Sequence, residues 1–204
     1  DALGLNTTGS NNVAVGESAL YANTTGGNNT GIGYSALKAN TTASNNTSVG
    51  YESLLDNTTG AQNTSVGFRS LYNNTTASNN VAVGQDALYT NTTGANNTAV
   101  GHSALATNTV SNNTAVGYAS LAANTTGTEN TALGMSSATA NTTGNYNVSL
   151  GKGTLETNTT GASNTAVGTN SLQNATTASN NTAVGMSALT ANTTGTENTA
   201  VGSD

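Results

Sequence analysis

A dipeptide of Val, Ile or Leu followed by Gly returns along the whole chain. Its glycines are Gly16, Gly33, Gly50, Gly67, Gly84, Gly101, Gly117, Gly134, Gly151, Gly168, Gly185 and Gly202. Every interval is 17 residues except the 16 between Gly101 and Gly117. The copies follow one another without a linker, so residues 1–204 read as a single domain. A period this short, held this strictly, predicts a solenoid: one coil is too small to bury a core, and stacking lets neighbours share the burial. The short coil is expected to have lost its residue after Asn108-Thr109-Val110, in a loop, where a deletion costs least.

Positions are numbered here from that glycine. Position −1 is always aliphatic, and position −3 is always Val or Thr, from Val13 and Thr30 to Thr199. Between them stands only Ala, Ser or Gly. This two-residue alternation with β-branched residues is the pattern of a strand. Position +4 is Leu in every coil but one, where Ala138 replaces it. A second short strand is expected there, with the Val and Leu columns supplying the core. A helix is not expected: Thr, Asn, Gly and β-branched residues are mediocre to poor helix formers. The fold class is therefore all-β, a parallel β-solenoid of twelve coils, and strands about 4.8 Å apart give a rod about 55 Å long.

Polar columns repeat as strictly. Position −4 is Asn in all copies: Asn12, Asn29, Asn46, Asn63, Asn80, Asn97, Asn113, Asn130, Asn147, Asn164, Asn181 and Asn198. Stacked amides at one position predict a structural Asn ladder. A second Asn column, from Asn6 to Asn192 with Ala175 as its exception, opens an Asn-Thr-Thr-Gly turn. The Gly of that turn suits a positive φ, although Ala43, Ala77, Ala178 and Ser111 stand in its column.

Chemical variety is concentrated at positions +1, +2, +5 and +6, which hold most of the charges and all the aromatics except Tyr146. Exposed aromatics anchor interfaces, so Tyr21, Tyr34, Tyr51, Phe68, Tyr72, Tyr89, His102 and Tyr118 form a candidate binding strip. The plainer reading is a strip that supplies solubility and packing along the rod. The small residues between the Val and Thr columns suggest a flat face open to close approach by another backbone. Ala14, Ala82, Ala99, Ala115, Ala132, Ala166 and Ala183 are accordingly the candidate self-association face.

Composition removes other classes. Three Lys+Arg against nine Asp+Glu give a net charge of −6, and three cations neutralise few phosphates, so nucleic acid is not an expected partner. Leu, Ile, Val and Phe total 30 residues, about 15% of the chain. That is too little for an ordinary two-layer enzyme domain, yet enough for a continuous core if each coil places it alike. No run of about 18 apolar residues exists, so direct membrane insertion is not expected, and the first residues lack the pattern of a signal peptide. With no Cys, disulfides and thiolate metal sites are absent. His102 is the only His, and nothing repeats around it that would orient a general base. Gly31-Ile32-Gly33 and Gly151-Lys152-Gly153 are too short for a phosphate loop. No catalytic residue, metal site or cofactor is expected. About twenty Asn-x-Ser/Thr sequons arise automatically from Asn and Thr columns, and they become glycan acceptors only if the chain meets a glycosylating pathway. An ice-binding solenoid is a minor alternative, since one outward Thr per coil gives no clear two-column array.

The segments Asn-Asn-Val-Ala-Val-Gly (11–16 and 79–84) and Asn-Asn-Thr-Ala-Val-Gly (96–101 and 112–117) resemble the Asn-Ser-Val-Ala-Ile-Gly motif of YadA-like heads in trimeric autotransporter adhesins. Similar repeats occur in phage fibre proteins. The resemblance covers every repeat, and the Asn-Thr-Thr-Gly turn is an insertion relative to the family's shorter coil. It implies a left-handed parallel β-roll on a cell surface, assembled as a homotrimer. With no neck, stalk or anchor beside the repeats, it also implies a fragment of a longer fibre. The resulting expectation is an extracellular, non-catalytic rod that mediates attachment or self-assembly. Its partners would be itself, as homotrimer or filament, and host or surface macromolecules. The alternative is a self-assembling extracellular filament or a phage tail-fibre shaft.

Overall fold

A computed structural model describes residues 1–203, and it is a β-solenoid. Each coil contributes one three-residue strand: β1 (Val13–Val15), β2 (Thr30–Ile32), β3 (Thr47–Val49), β4 (Thr64–Val66), β5 (Val81–Val83), β6 (Thr98–Val100), β7 (Thr114–Val116), β8 (Thr131–Leu133), β9 (Val148–Leu150), β10 (Thr165–Val167), β11 (Thr182–Val184) and β12 (Thr199–Val201). All pair in parallel, in one sheet ordered β1 to β12. The register joins like to like, as in Thr47↔Thr64, Ser48↔Ser65 and Val49↔Val66. It passes through the short coil undisturbed, with Thr98↔Thr114 and Val100↔Val116.

The strand faces are the reverse of the sequence expectation. The small central residue points inward: Ala82, Ala99, Ala115, Ala166 and Ala183 are 0% exposed, and Ala132 is 1% exposed. Ala14 is half-buried and packs on the same core. The Val, Thr, Ile and Leu columns point outward, with Val15 at 55% and Leu133 at 50% exposure. The reason is the width of the coil. Leu20, Leu37, Leu54 and their equivalents already fill the interior. A Cβ on Gly31, at the inward strand position, would lie 3.2 Å from Leu20 Cγ and 3.1 Å from the Ala36 carbonyl oxygen. Only a small side chain fits opposite that Leu, so the large residues are turned out. The Ala column is thus core, and it is not a self-association face.

The second expected strand is absent. From +1 to +6 the chain turns, with positive φ at +2 and +4, as at Ser18 (58°) and Leu20 (50°). Hydrogen bonding between coils is kept nonetheless: Leu20 N–H donates to the Ala36 carbonyl at 3.0 Å, and Ser35 N–H donates to the Glu17 carbonyl at 2.8 Å. A left-handed residue other than Gly costs about 1–2 kcal/mol. Burying a Leu completely returns about 1.5–3 kcal/mol, which offsets the cost at the Leu position itself.

The rest of the interior is polar, and nearly all of its side-chain groups are hydrogen-bonded. Asn29 accepts the Asn46 N–H on Oδ1 at 3.0 Å and donates from Nδ2 to the Ala43 carbonyl at 2.8 Å. The same two bonds recur along the −4 column, which therefore links side chain to backbone from coil to coil. Amide-to-amide bonds occur in the −4 column only in some coils, as from Asn164 Nδ2 to Asn147 Oδ1 at 3.1 Å. They form most of the other Asn column: Asn40 Nδ2 donates to Asn23 Oδ1 at 2.8 Å, and Asn74 Nδ2 donates to Asn57 Oδ1 at 2.8 Å. Two buried amide oxygens lack a partner, Asn91 Oδ1 and Asn158 Oδ1. Each has a reason in the sequence. Ala175 stands where the donor to Asn158 belongs. In the short coil Asn108 Nδ2 reaches Val110 O, two residues on, where Asn91 reaches Gly94, three residues on. The missing residue thus lies between Asn108 and Val110, and Val110, rather than Ser111, occupies the turn-glycine position.

Candidate functional site

Two surfaces of the rod stand out. The first is the outward sheet face. Its two columns run from Val13 and Val15 to Thr199 and Val201 and contain only Thr, Val, Ile and Leu. Nine of the inner-numbered column are Thr: Thr30, Thr47, Thr64, Thr98, Thr114, Thr131, Thr165, Thr182 and Thr199. None of these hydroxyls takes part in a hydrogen bond among the described residues. The contrast is with the first Thr of the turns, whose hydroxyl is committed in ten of the twelve, Thr92 and Thr193 being the exceptions. Thr24 Oγ1 donates to the Thr41 carbonyl at 3.0 Å, and Thr142 Oγ1 to the Thr159 carbonyl at 2.9 Å. The sheet face therefore presents a column of free hydroxyls beside a column of aliphatic side chains.

The second surface is the strip of variable residues. Parallel, in-register stacking brings like positions of successive coils to about 4.8 Å, close to the separation at which rings stack. Tyr34, Tyr51 and Phe68 form one pile, with centroids 5.1 and 5.4 Å apart and planes within 12°. Tyr72 stacks on Tyr89 at 5.3 Å, and His102 on Tyr118 at 5.3 Å. Arg69 ties the two columns together. Its guanidinium lies 5.1 Å from the Phe68 ring centroid and 5.5 Å from that of Tyr72, and its Nε donates to Glu52 Oε2 at 2.9 Å. That bond holds Arg69 above the ordinary guanidinium range. Burial, then the charges of Glu52 and Asp56, raises the Tyr72 phenol, so it stays neutral. Tyr51 is raised by burial first and by Glu52 second. His102 is exposed, with Nδ1 3.0 Å from Ser103 Oγ.

Of the eight strip residues, seven are thus brought into ring stacks, and Tyr21 has no ring partner among the described residues. The Asn residues named as a ladder are buried in ten of twelve coils. Burial also sorts the sequons. The Asn of the inner Asn-Thr-Thr turns, such as Asn40, Asn57 and Asn141, is 0% exposed, whereas Asn28, Asn45, Asn96, Asn112 and Asn180 are exposed. Among the described residues no helix is long and apolar enough to cross a membrane. No family model, curated protein or solved structure gives a significant match to this chain.

Proposed function

We propose that this chain is a non-catalytic structural rod of an extracellular surface adhesin or fibre, and that it associates with copies of itself along the outward Val–Thr face. The observation that supports this most is that face. It is uncharged, about 55 Å long from the strand spacing, and carries partly exposed or exposed aliphatic side chains in every coil. Contiguous apolar surface on this scale marks an interaction site rather than ordinary solvent exposure. The resemblance of the repeats to YadA-like heads supports the surface location and a closed assembly. The aromatic strip, on a different side of each coil, supports attachment to host or surface macromolecules.

Oligomeric state tests the reading. Light scattering is expected to give a discrete oligomer, and Val66→Glu with Val100→Glu is expected to convert it to monomer while leaving the circular dichroism of the fold intact. A monomeric parent chain, or an oligomer indifferent to both changes, defeats the proposal. Open-ended particles under the electron microscope favour a filament over a closed adhesin head.

The free Thr hydroxyls favour one second reading, an ice-binding surface. Two outward columns do exist, one hydroxyl-bearing and one aliphatic, at a fixed repeat. Thermal hysteresis from a monomeric chain at micromolar concentration supports it, and its absence removes it.

A further inference from the structure

The rings of the strip mostly cover one another, so stacked Tyr34, Tyr51 and Phe68 offer edges rather than faces. Tyr21 differs. On one side its ring is set against Gly4, where a Cβ would come within 2.8 Å of Tyr21 Cε2. On the other side the column continues as Lys38 and Leu55 before rings resume at Tyr72. The interruption leaves a concave slot of about 260 Å³ lined by Tyr21, Ala22, Lys38, Ala39, Leu55 and Asp56.

Its chemistry is unlike the rest of the strip. The ring, two methyl groups and the Leu side chain make apolar walls. Lys38 and Asp56 stand at the same slot, and neither has an ion-pair or side-chain hydrogen-bond partner: the only salt bridge among the described residues joins Arg69 to Glu52. Burial first, and then the neighbouring Glu52, holds the Asp56 carboxyl above the ordinary carboxylate range. A concave apolar site with a few convergent, unpartnered polar groups is the usual form of a small-molecule site.

We propose that this slot binds a single pyranose ring of a neutral glycan. The C–H face of the sugar lies on Tyr21 and Leu55, its hydroxyls donate to the Asp56 carboxylate, and another hydroxyl oxygen accepts from the Lys38 ammonium. The volume falls below the about 300 Å³ at which drug-sized pockets begin, which suits one ring and excludes a buried oligosaccharide. An aromatic side chain of a protein partner would fill the apolar part but leave both charged groups desolvated and unpaired, a cost a sugar avoids. An acidic sugar would meet the Asp56 charge. The proposal rests on the reading of the strip as an attachment surface and makes that reading specific.

Titration followed by NMR tests it, with the methyl pyranosides of glucose, galactose, mannose and N-acetylglucosamine as probes. At least one is expected to bind with a Kd of about 1 mM, the range of a single weakly buried ring. Tyr21→Ala and Asp56→Asn are each expected to weaken it about tenfold or more, while Tyr118→Ala leaves it unchanged. Binding by none of the four probes, or binding that survives both substitutions, overturns the proposal. The same titration on the Val66→Glu, Val100→Glu chain separates the two claims, because sugar binding there is independent of self-association.

Discussion

Two glycine columns run the length of the rod, and they behave differently. The corner glycines after each strand all have φ between +118° and +144°. The turn glycines, such as Gly26, Gly60 and Gly94, are not in the positive-φ region. Crowding does not distinguish them. A Cβ on Gly101 would lie 2.4 Å from the Gly117 carbonyl oxygen, and one on Gly94 would lie 2.3 Å from that of Val110. Yet Ala occupies the turn column at Ala43, Ala77 and Ala178, and never the corner. At Ala43 the two amide bonds to its carbonyl are 2.8 and 3.0 Å, against 2.9 and 2.9 Å at Gly60. A coil can therefore shift to admit a methyl group without losing a bond. It cannot change the dihedral that closes the corner. Backbone conformation, and not space, makes the corner glycine invariant in this chain.

The largest expected effect tests that contrast directly. Gly101→Ala is expected to destabilise by about 3 kcal/mol, the upper end for a residue forced into a Gly-only region. Gly94→Ala is expected to cost less than about 1 kcal/mol. Equal losses in thermal or denaturant unfolding would break the comparison. Next in size is the gap that Ala175 leaves in the amide chain. Ala175→Asn supplies a donor to the orphaned Asn158 Oδ1 and is expected to stabilise by about 1 kcal/mol. No gain would mean that the coil has closed around the Ala.

The smallest effect lies on the strip. The raised Asp56 carboxyl keeps its proton to higher pH in the folded chain than in the unfolded one. Stability therefore falls as pH rises from the unfolded value, about 3.9, through the folded one, and the deficit is complete above it. Asp56→Asn is expected to raise Tm slightly at pH 7, with the difference vanishing below about pH 4. A difference that grows towards acid would reverse the sign.

The repeat made the coil count, the parallel stacking and the Leu column legible in the sequence, because a strict period leaves few ways to stack like on like. It did not reveal which strand face points in. Alternation gives two faces, and the habit of placing Val inside chose wrongly here because Leu20 and its equivalents leave no width. A signal was present. Wherever the strand centre is Ser, position +3 of the same coil is Ser or Thr: Ser48 with Ser53, Ser65 with Ser70, and Ser149 with Thr154. These pairs bond inside the coil, as Ser48 Oγ to the Ser53 carbonyl at 2.7 Å and Ser149 Oγ to the Thr154 carbonyl at 3.0 Å. A strand centre that is Ser only where +3 is also polar points to two columns that face each other, although Ser120, Ser137 and Ser171 stand at +3 in coils whose strand centre is Ala. The aromatic piles were legible as a strip, but the slot beside Tyr21 was not, since it comes from what Lys38 and Leu55 fail to fill.

Each strand touches only the strand before it and the strand after it. The hydrogen bonds between coils lie along the length of the rod, so a pull on its two ends loads those coil-to-coil junctions one after another rather than side by side. The weakest junction then opens alone. Each coil that lets go frees roughly 55 Å of extended chain for 17 residues, which makes the rod an extensible tether that lengthens in steps of one repeat while the remaining coils stay folded.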